Sequence, residues 1–140
     1  MTVANQFSVR DTLHRYCSTI DRFDHDGLRA IIADDAVAKF GDDDWIRGAD
    51  AIVEWIADVT RRRSWQQHFL SVYHVDFISD VRAVALSYVT SRQVDVAHPT
   101  VVVETFGQYD DIVARDDDGR WKIVSKQMTV GQRDRRALSS

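Results

Sequence analysis

Only one cysteine, Cys17, and one proline, Pro99, occur in this chain of 140 residues, and its six glycines are scattered. A lone cysteine excludes an internal disulfide and a cysteine-cluster metal site. So little proline and glycine leaves no linker between two units, and no internal repeat or low-complexity segment is present. No apolar run approaches the roughly 18 residues of a membrane-spanning helix, so no membrane partner is expected. The first residues, MTVANQFSVRD, lack the basic and apolar regions of a signal peptide, and a soluble cytoplasmic protein is the expectation. Basic charge is short as well: 18 Lys and Arg against 22 Asp and Glu give a net charge of -4, which argues against nucleic acid as a partner. The glycine patterns of nucleotide-binding loops and the G-x-S-x-G nucleophile elbow are missing. The five histidines show no metal-ligand spacing, so neither a metal nor another cofactor is expected.

What is present is a core: 44% of residues are hydrophobic and ten per cent aromatic, enough for one domain over residues 1–140. The stretch from Ser8 to Asp26 organises it. Val9, Leu13, Tyr16, Cys17 and Ile20 fall on one stripe of a helix, with Ser8 as a candidate N-cap and Asp11 in the first turn. Asp21 lies at the border of that stripe; its bland reading is a solvated helix end shared with Asp24 and Asp26. Asp26 is the candidate cap of a short helix carrying Leu28, Ile31 and Ile32, ended by Asp34 and Asp35. Ala36 to Phe40 and Trp45 to Arg47 read as a small hairpin. Ile52, Trp55, Ile56 and Val59 place a third helix over Ala49 to Arg62, with Arg61 to Arg63 as cations complementing its C-terminal dipole.

After Ser64 the pattern changes to sheet. Trp65 to Ile78, Ala83 to Val96, Thr100 to Ala114 and Trp121 to Val130 are rich in aromatic and β-branched residues and separated by turn signals. In the second of these, Val84, Leu86, Tyr88 and Val94 share one side, while Ala85, Ser87, Ser91 and Gln93 share the other. In the first, strict alternation groups His68 with Leu70, Val72 and His74, and sets Tyr73 with Phe69 and Val75. Helices followed by long antiparallel strands define an α+β domain, in which strands this long demand bulges and strong curvature. A cone enclosing a pocket follows.

Several segments, YCSTIDRFDHDGL, ADDAV, G-x-x-A-I-x-x-W at Gly48 to Trp55, QHFLS, G-x-Y-D and R-x-D-D-G-x-W-K-I, occur here in the order in which the SnoaL-like branch of the NTF2-like superfamily has them. The resemblance covers nearly the whole chain. It implies a cone-shaped barrel with three N-terminal helices packed in a strongly curved, mostly antiparallel sheet. It also implies a deep apolar pocket and a homodimer through the outer face of the sheet. Scytalone dehydratases and hexachlorocyclohexane dehydrochlorinases of this branch share an Asp near the end of the first helix and a His early in the first long strand. The matching positions are Asp21 and His68. A carboxylate holding one imidazole nitrogen leaves the other as a base. The competing reading of His68 is a buried histidine satisfied by a backbone carbonyl.

The departures are as informative. The dehydratases carry a tyrosine just before that Asp and another on the first short strand, where Ile20 and Phe40 stand here. Their second histidine falls near Ser91. Tyr73 and Tyr88 are the candidate replacements for the missing phenols. Phe40, Trp45, Trp55, Tyr88, Phe106 and Met128 are candidates to line the pocket, and Arg92 and Glu104 to pair across the sheet. The expected function is a cofactor-free lyase, isomerase or cyclase that takes a proton from a small hydrophobic cyclic molecule, polyketide- or steroid-like. The alternatives are a non-catalytic ligand-binding module or partner subunit and, more remotely, an epoxide hydrolase with an Asp-Arg-Asp triad, for which Arg92 and Asp95 are poor candidates.

Overall fold

The computed structural model describes residues 2–139. Three helices, α1 (Val3–Asp21), α2 (His25–Ala30) and α3 (Ala49–Thr60), accompany six strands. These are β1 (Ile32–Phe40), β2 (Ile46–Arg47), β3 (Arg63–Ser79), β4 (Arg82–Asp95), β5 (Val101–Arg115) and β6 (Trp121–Ala137). They form one sheet in the order β2-β1-β6-β5-β4-β3, antiparallel except for the β1–β6 pair. The edges β2 and β3 do not meet, so the cone is a curved open sheet wrapped around the helices rather than a closed barrel.

The helix starts differ from the sequence expectation. Thr2, not Ser8, caps α1, its Oγ1 accepting from the Asn5 amide at 3.1 Å. The added first turn carries Phe7, which is 71% exposed, so it lies outside the apolar stripe that marks the rest of the helix. Phe23 takes a left-handed conformation (φ 55°) just past the end of α1, a place usually given to Gly or Asn. That reversal lets Asp24, rather than Asp26, cap α2 through the Gly27 amide at 2.9 Å. Ile32 already belongs to β1, because the Ile31 carbonyl accepts from Ile123 on β6 and draws the chain into the sheet. Asp34 and Asp35 therefore lie on a strand, where Asp34 shares the Arg29 guanidinium with Asp50, both at 2.7 Å.

Curvature comes from small residues and irregularities. Ala83, Ala85 and Ser87 on β4 are buried on the inner face, and the two alanines share one core with Val9, Leu13 and Cys17 of α1. The alternation is broken on β3 by a register shift between Val72 and His74, where Arg10 of α1 donates to the Val72 carbonyl at 2.9 Å. Beyond it Val75 turns inward and His74 outward, so the strict period-2 grouping holds only up to Val72. A second irregularity falls at Phe106/Gly107, where a Cβ on Gly107 would lie 2.8 Å from the Thr129 carbonyl. Strand β6 runs on past Val130 to Ala137, because its charged end pairs with β5 from Val101 to Phe106, a partnership that hydrophobic patterning does not encode.

Inside the core, Lys126 and Asp111 face each other across β5 and β6, with Nζ at 2.8 and 3.0 Å from the two carboxylate oxygens. The same ammonium lies 4.2 Å from the Tyr16 ring centroid and 3.8 Å from that of Tyr109, so two aromatic faces replace water around it. Burial raises the Asp111 pKa above the ordinary carboxylate value, with Lys126 opposing the shift. Breaking such a pair strands a buried charge. Lys126→Met is expected to lower unfolding stability by about 3 to 5 kcal/mol in urea titration, and adding Asp111→Leu to recover most of the loss.

Candidate active site

Helix α1 ends against β3, and the junction is a set of three hydrogen bonds. Gln66 Nε2 donates to the Ile20 carbonyl at 2.6 Å, satisfying one of the carbonyls that a helix C-terminus leaves free. The two oxygens of Asp21 both go to His68: Oδ2 accepts from its backbone amide at 2.9 Å, and Oδ1 lies 2.5 Å from Nδ1. A carboxylate at the negative end of a helix dipole is unfavourable by itself, and these bonds offset that cost. With Nδ1–H donating to Asp21, the imidazole is held in one tautomer and Nε2 keeps its lone pair. Side-chain exposures of 10% for His68 and 20% for Asp21 leave the pair at the edge of solvent rather than sealed from it.

His68 opens onto a cavity of about 840 Å³ at the end of the cone where the helices stop. One wall is apolar, formed by Ile20, Phe40, Trp55, Ile56, Val59 and Met128, with the Phe40 and Trp55 rings stacked at 4.4 Å. The other is polar, formed by Arg63, Ser91, Gln93, Thr105, Arg133 and Arg135, and Lys39, Asp42 and Asp43 add charged groups beside Phe40. The uniformly apolar pocket implied by the family resemblance is thus half of what is found. Tyr16 and Tyr109 form part of the lining as well, their rings meeting edge to face at 5.8 Å. Burial pushes both phenols well above their ordinary pKa, so they stay protonated. The Cys17 thiol is pushed up to about 12 by burial and is not a nucleophile.

Of the expected lining residues, Phe40, Trp55 and Met128 border this cavity; Trp45, Tyr88 and Phe106 do not. Trp45 is 41% exposed in the β1–β2 turn, and Tyr88 and Phe106, 44% and 38% exposed, lie on the face of the sheet away from the helices. Alternation along β4 tells which residues share a face, but only the burial of Ala83, Ala85 and Ser87 in the assembled core decides which face is inner. Tyr73 joins Tyr88 on the outer face, their ring centroids 4.5 Å apart, so neither supplies a phenol to the cavity. Arg92 and Glu104 do pair across the sheet, on that same outer face, while Asp95 lies 3.7 Å from Arg62. Arg63, read as a helix cap, has left α3 and begins β3 beside the cavity. Its signal was the change from helical to extended pattern at that residue. Ser91 stands opposite His68 in the β3–β4 register. Among the described residues, no group of three or more His, Cys, Asp or Glu side chains is placed to hold a metal, and no helix is long and apolar enough to cross a membrane.

Six curved strands wrapped on N-terminal helices, with an acid–imidazole pair in the cavity wall, define an NTF2-like cone. The chain belongs to the SnoaL-like domain family, which matches residues 2–127. No curated protein sequence matches it. Among solved structures it is similar to a protein of Novosphingobium aromaticivorans provisionally named scytalone dehydratase, with TM-score 0.87, 18% identity, and 99% and 91% of the two chains covered. It is also similar to a type 2 hexachlorocyclohexane dehydrochlorinase, with TM-score 0.88, 16% identity and coverage of 99% and 94%. A ketosteroid isomerase-like protein of Erwinia carotovora follows the same course, with TM-score 0.79, 16% identity and coverage of 89% and 95%. At these identities the likeness is one of fold.

The helix–strand junction makes a local prediction. Nitrogen-15 spectra of the wild type are expected to show His68 with its proton on Nδ1 near neutral pH. Asp21→Asn is expected to lose that single-tautomer signature while the far-ultraviolet circular dichroism stays unchanged.

Proposed function

We propose that this protein is a cofactor-free general acid–base enzyme, a lyase, isomerase or cyclase, that removes a proton from a small cyclic molecule with a hydrophobic body. The observation that carries this reading is the Asp21–His68 pair in the wall of a cavity large enough for such a molecule. In this mechanism the substrate ring lies along Phe40, Trp55 and Met128, and Nε2 of His68 takes an acidic C–H proton. Asp21 holds the ring by Nδ1 and stabilises the imidazolium that forms, without itself taking a proton. The protonated Tyr16 and Tyr109 offer hydrogen bonds to the charge that develops on the substrate, in place of the phenols that the dehydratases carry at the positions of Ile20 and Phe40. Expulsion of a leaving group then completes an elimination, and return of the proton to another carbon completes an isomerisation. The dehydratase, dehydrochlorinase and isomerase-like names of the structural neighbours suit this range of chemistry.

The matched measurement is exchange of an acidic C–H on cyclic ketones in deuterated buffer. His68→Ala or His68→Gln is expected to lower the rate by about 10² to 10⁴, with Asp21→Asn also severe and both variants still folded by circular dichroism. An equally fast His68→Ala would leave the pair structural and favour a non-catalytic ligand-binding module.

The second part of the reading is a homodimer through the outer face of the sheet. Phe69, Tyr73, Tyr88 and Phe106 form an exposed aromatic patch there, continued by the Arg92 guanidinium 5.6 Å from the Phe69 centroid. Light scattering is expected to give about twice the 16.1 kDa chain mass at micromolar concentration, and Phe69→Glu with Tyr88→Glu to give the monomer. A wild-type monomer under those conditions overturns this assembly.

A further inference from the structure

Several arginines outside the cavity are matched with carboxylates or a carbonyl. Arg15 pairs with Asp11, Arg29 with Asp34 and Asp50, Arg62 with Asp95, Arg92 with Glu104, and Arg10 bonds the Val72 carbonyl. Arg63 and Arg133, both in the cavity lining, are exceptions: neither has a carboxylate partner among the described residues.

Neutral groups hold them instead. Arg63 donates one bond, at 2.9 Å, to Gln66 Oε1, and the other end of that amide is fixed on the Ile20 carbonyl. Arg133 donates through Nε to Thr105 Oγ1 at 3.2 Å. Each guanidinium has five N–H donors, so both keep most of their donors for something else. The sheet register relates them to the base. His68 stands opposite Ser91, Ser91 opposite Thr105, and Thr105 opposite Arg133, one straight row across four strands on the inner face. At about 4.8 Å per strand, the backbones of His68 and Arg133 are roughly 14 Å apart along the sheet, and closer across its concave side. That leaves a ring-sized gap between imidazole and guanidinium.

We propose that Arg63 and Arg133 form an anion subsite that binds the carboxylate of the substrate and presents its ring to His68. The assignment deepens the acid–base reading of the cavity and rests on it for the word substrate. Lys39, Arg63, Arg133 and Arg135 in the lining, against Asp42 and Asp43 there and Asp21 beside His68, leave an excess of a single positive charge, which suits a monoanion. The planar guanidinium fork matches a carboxylate with two parallel bonds. Burial, and then the like charge of Arg133, lower the Arg63 pKa below the ordinary arginine value, so an anion between them relieves a repulsion built into the empty site. Arg135 on the exposed end of β6 adds to the positive potential at the cavity mouth.

The test is titration calorimetry of the full chain with 2-naphthoate, its neutral counterpart 2-naphthamide, and inorganic phosphate. Naphthoate is expected to bind about tenfold or more tightly than the amide, and more tightly than phosphate. Arg133→Gln, on the exposed part of β6, and Arg63→Gln are each expected to remove that preference while leaving the affinity for the amide unchanged. Circular dichroism and melting serve as folding controls, and Arg133→Gln carries the test if Arg63→Gln does not fold. Equal binding of acid and amide, absence of naphthoate binding, or phosphate binding as tight as naphthoate overturns the subsite. His68→Ala is expected to retain the preference. No turnover is involved, so loss of exchange activity with the preference intact removes only the base from the scheme, and the reverse outcome removes only the subsite.

Discussion

The carboxylate of Asp21 holds the end of α1 to β3 through both of its oxygens, and the placing of the His68 imidazole at the cavity depends on that contact. A helix of 19 residues lying in a curved sheet could slide along its own axis without greatly changing apolar burial. Directional bonds prevent this. At mid-helix Thr12 Oγ1 donates to the Trp121 carbonyl at 2.9 Å, and at the C-terminal end Asp21 and the Ile20 carbonyl are taken by His68 and Gln66. The contact that orients the imidazole is therefore also one that sets the depth of the helix.

The cavity exists because the strands outlast the helices. Beyond Ile20 at the end of α1, the inner face of β3 to β6 is left to line the cavity through His68, Ser91, Thr105 and Arg133, together with Trp55, Ile56 and Val59 of α3. Nearer the centre of the fold, Ala83, Ala85 and Ser87 are buried in the core, and Lys126 fills the base of the cone between Tyr16 and Tyr109. These two tyrosines face the core charge as well as the cavity. A buried ion pair is a poor source of net stability, since desolvation offsets most of the attraction. Here it lies within one ring's width of the cavity and contributes to its electrostatics without being exposed.

Membership of the SnoaL-like domain family accounts for the course of the chain, while the lining departs from the family pattern. Ile20 and Phe40, which the resemblance aligns with the dehydratases' tyrosines, line the cavity as apolar groups. The protonated phenols in the lining come from the middle of α1 and from β5 instead. The polar wall built by Arg63, Thr105 and Arg133 gives the cavity two unlike ends, an arrangement suited to a molecule with an apolar ring and a charged substituent.

The α+β class, the order of elements and the pairing of long strands were legible in the sequence because they rest on local periodicity, which survives in one dimension. The family resemblance made Asp21 and His68 a pair worth testing, and the border position of Asp21 on the helical stripe agreed with it. Face selection was not legible. Period-2 alternation on β4 separated Tyr88 from Ser87 correctly, yet the choice of inner face depended on which residues α1 could lie against. On β3 the shift after Val72 reversed the grouping of His74 and Val75, since a single extra residue changes the facing of all that follow. Arg63 and Arg133 lie 70 residues apart on different strands and share no local pattern, so only the folded sheet brings both to the lining of one cavity. The sequence by itself determined the elements and the candidate dyad; the tertiary structure decided which side chains share the cavity, because facing and register are set by long-range packing rather than by any residue's neighbours in the chain.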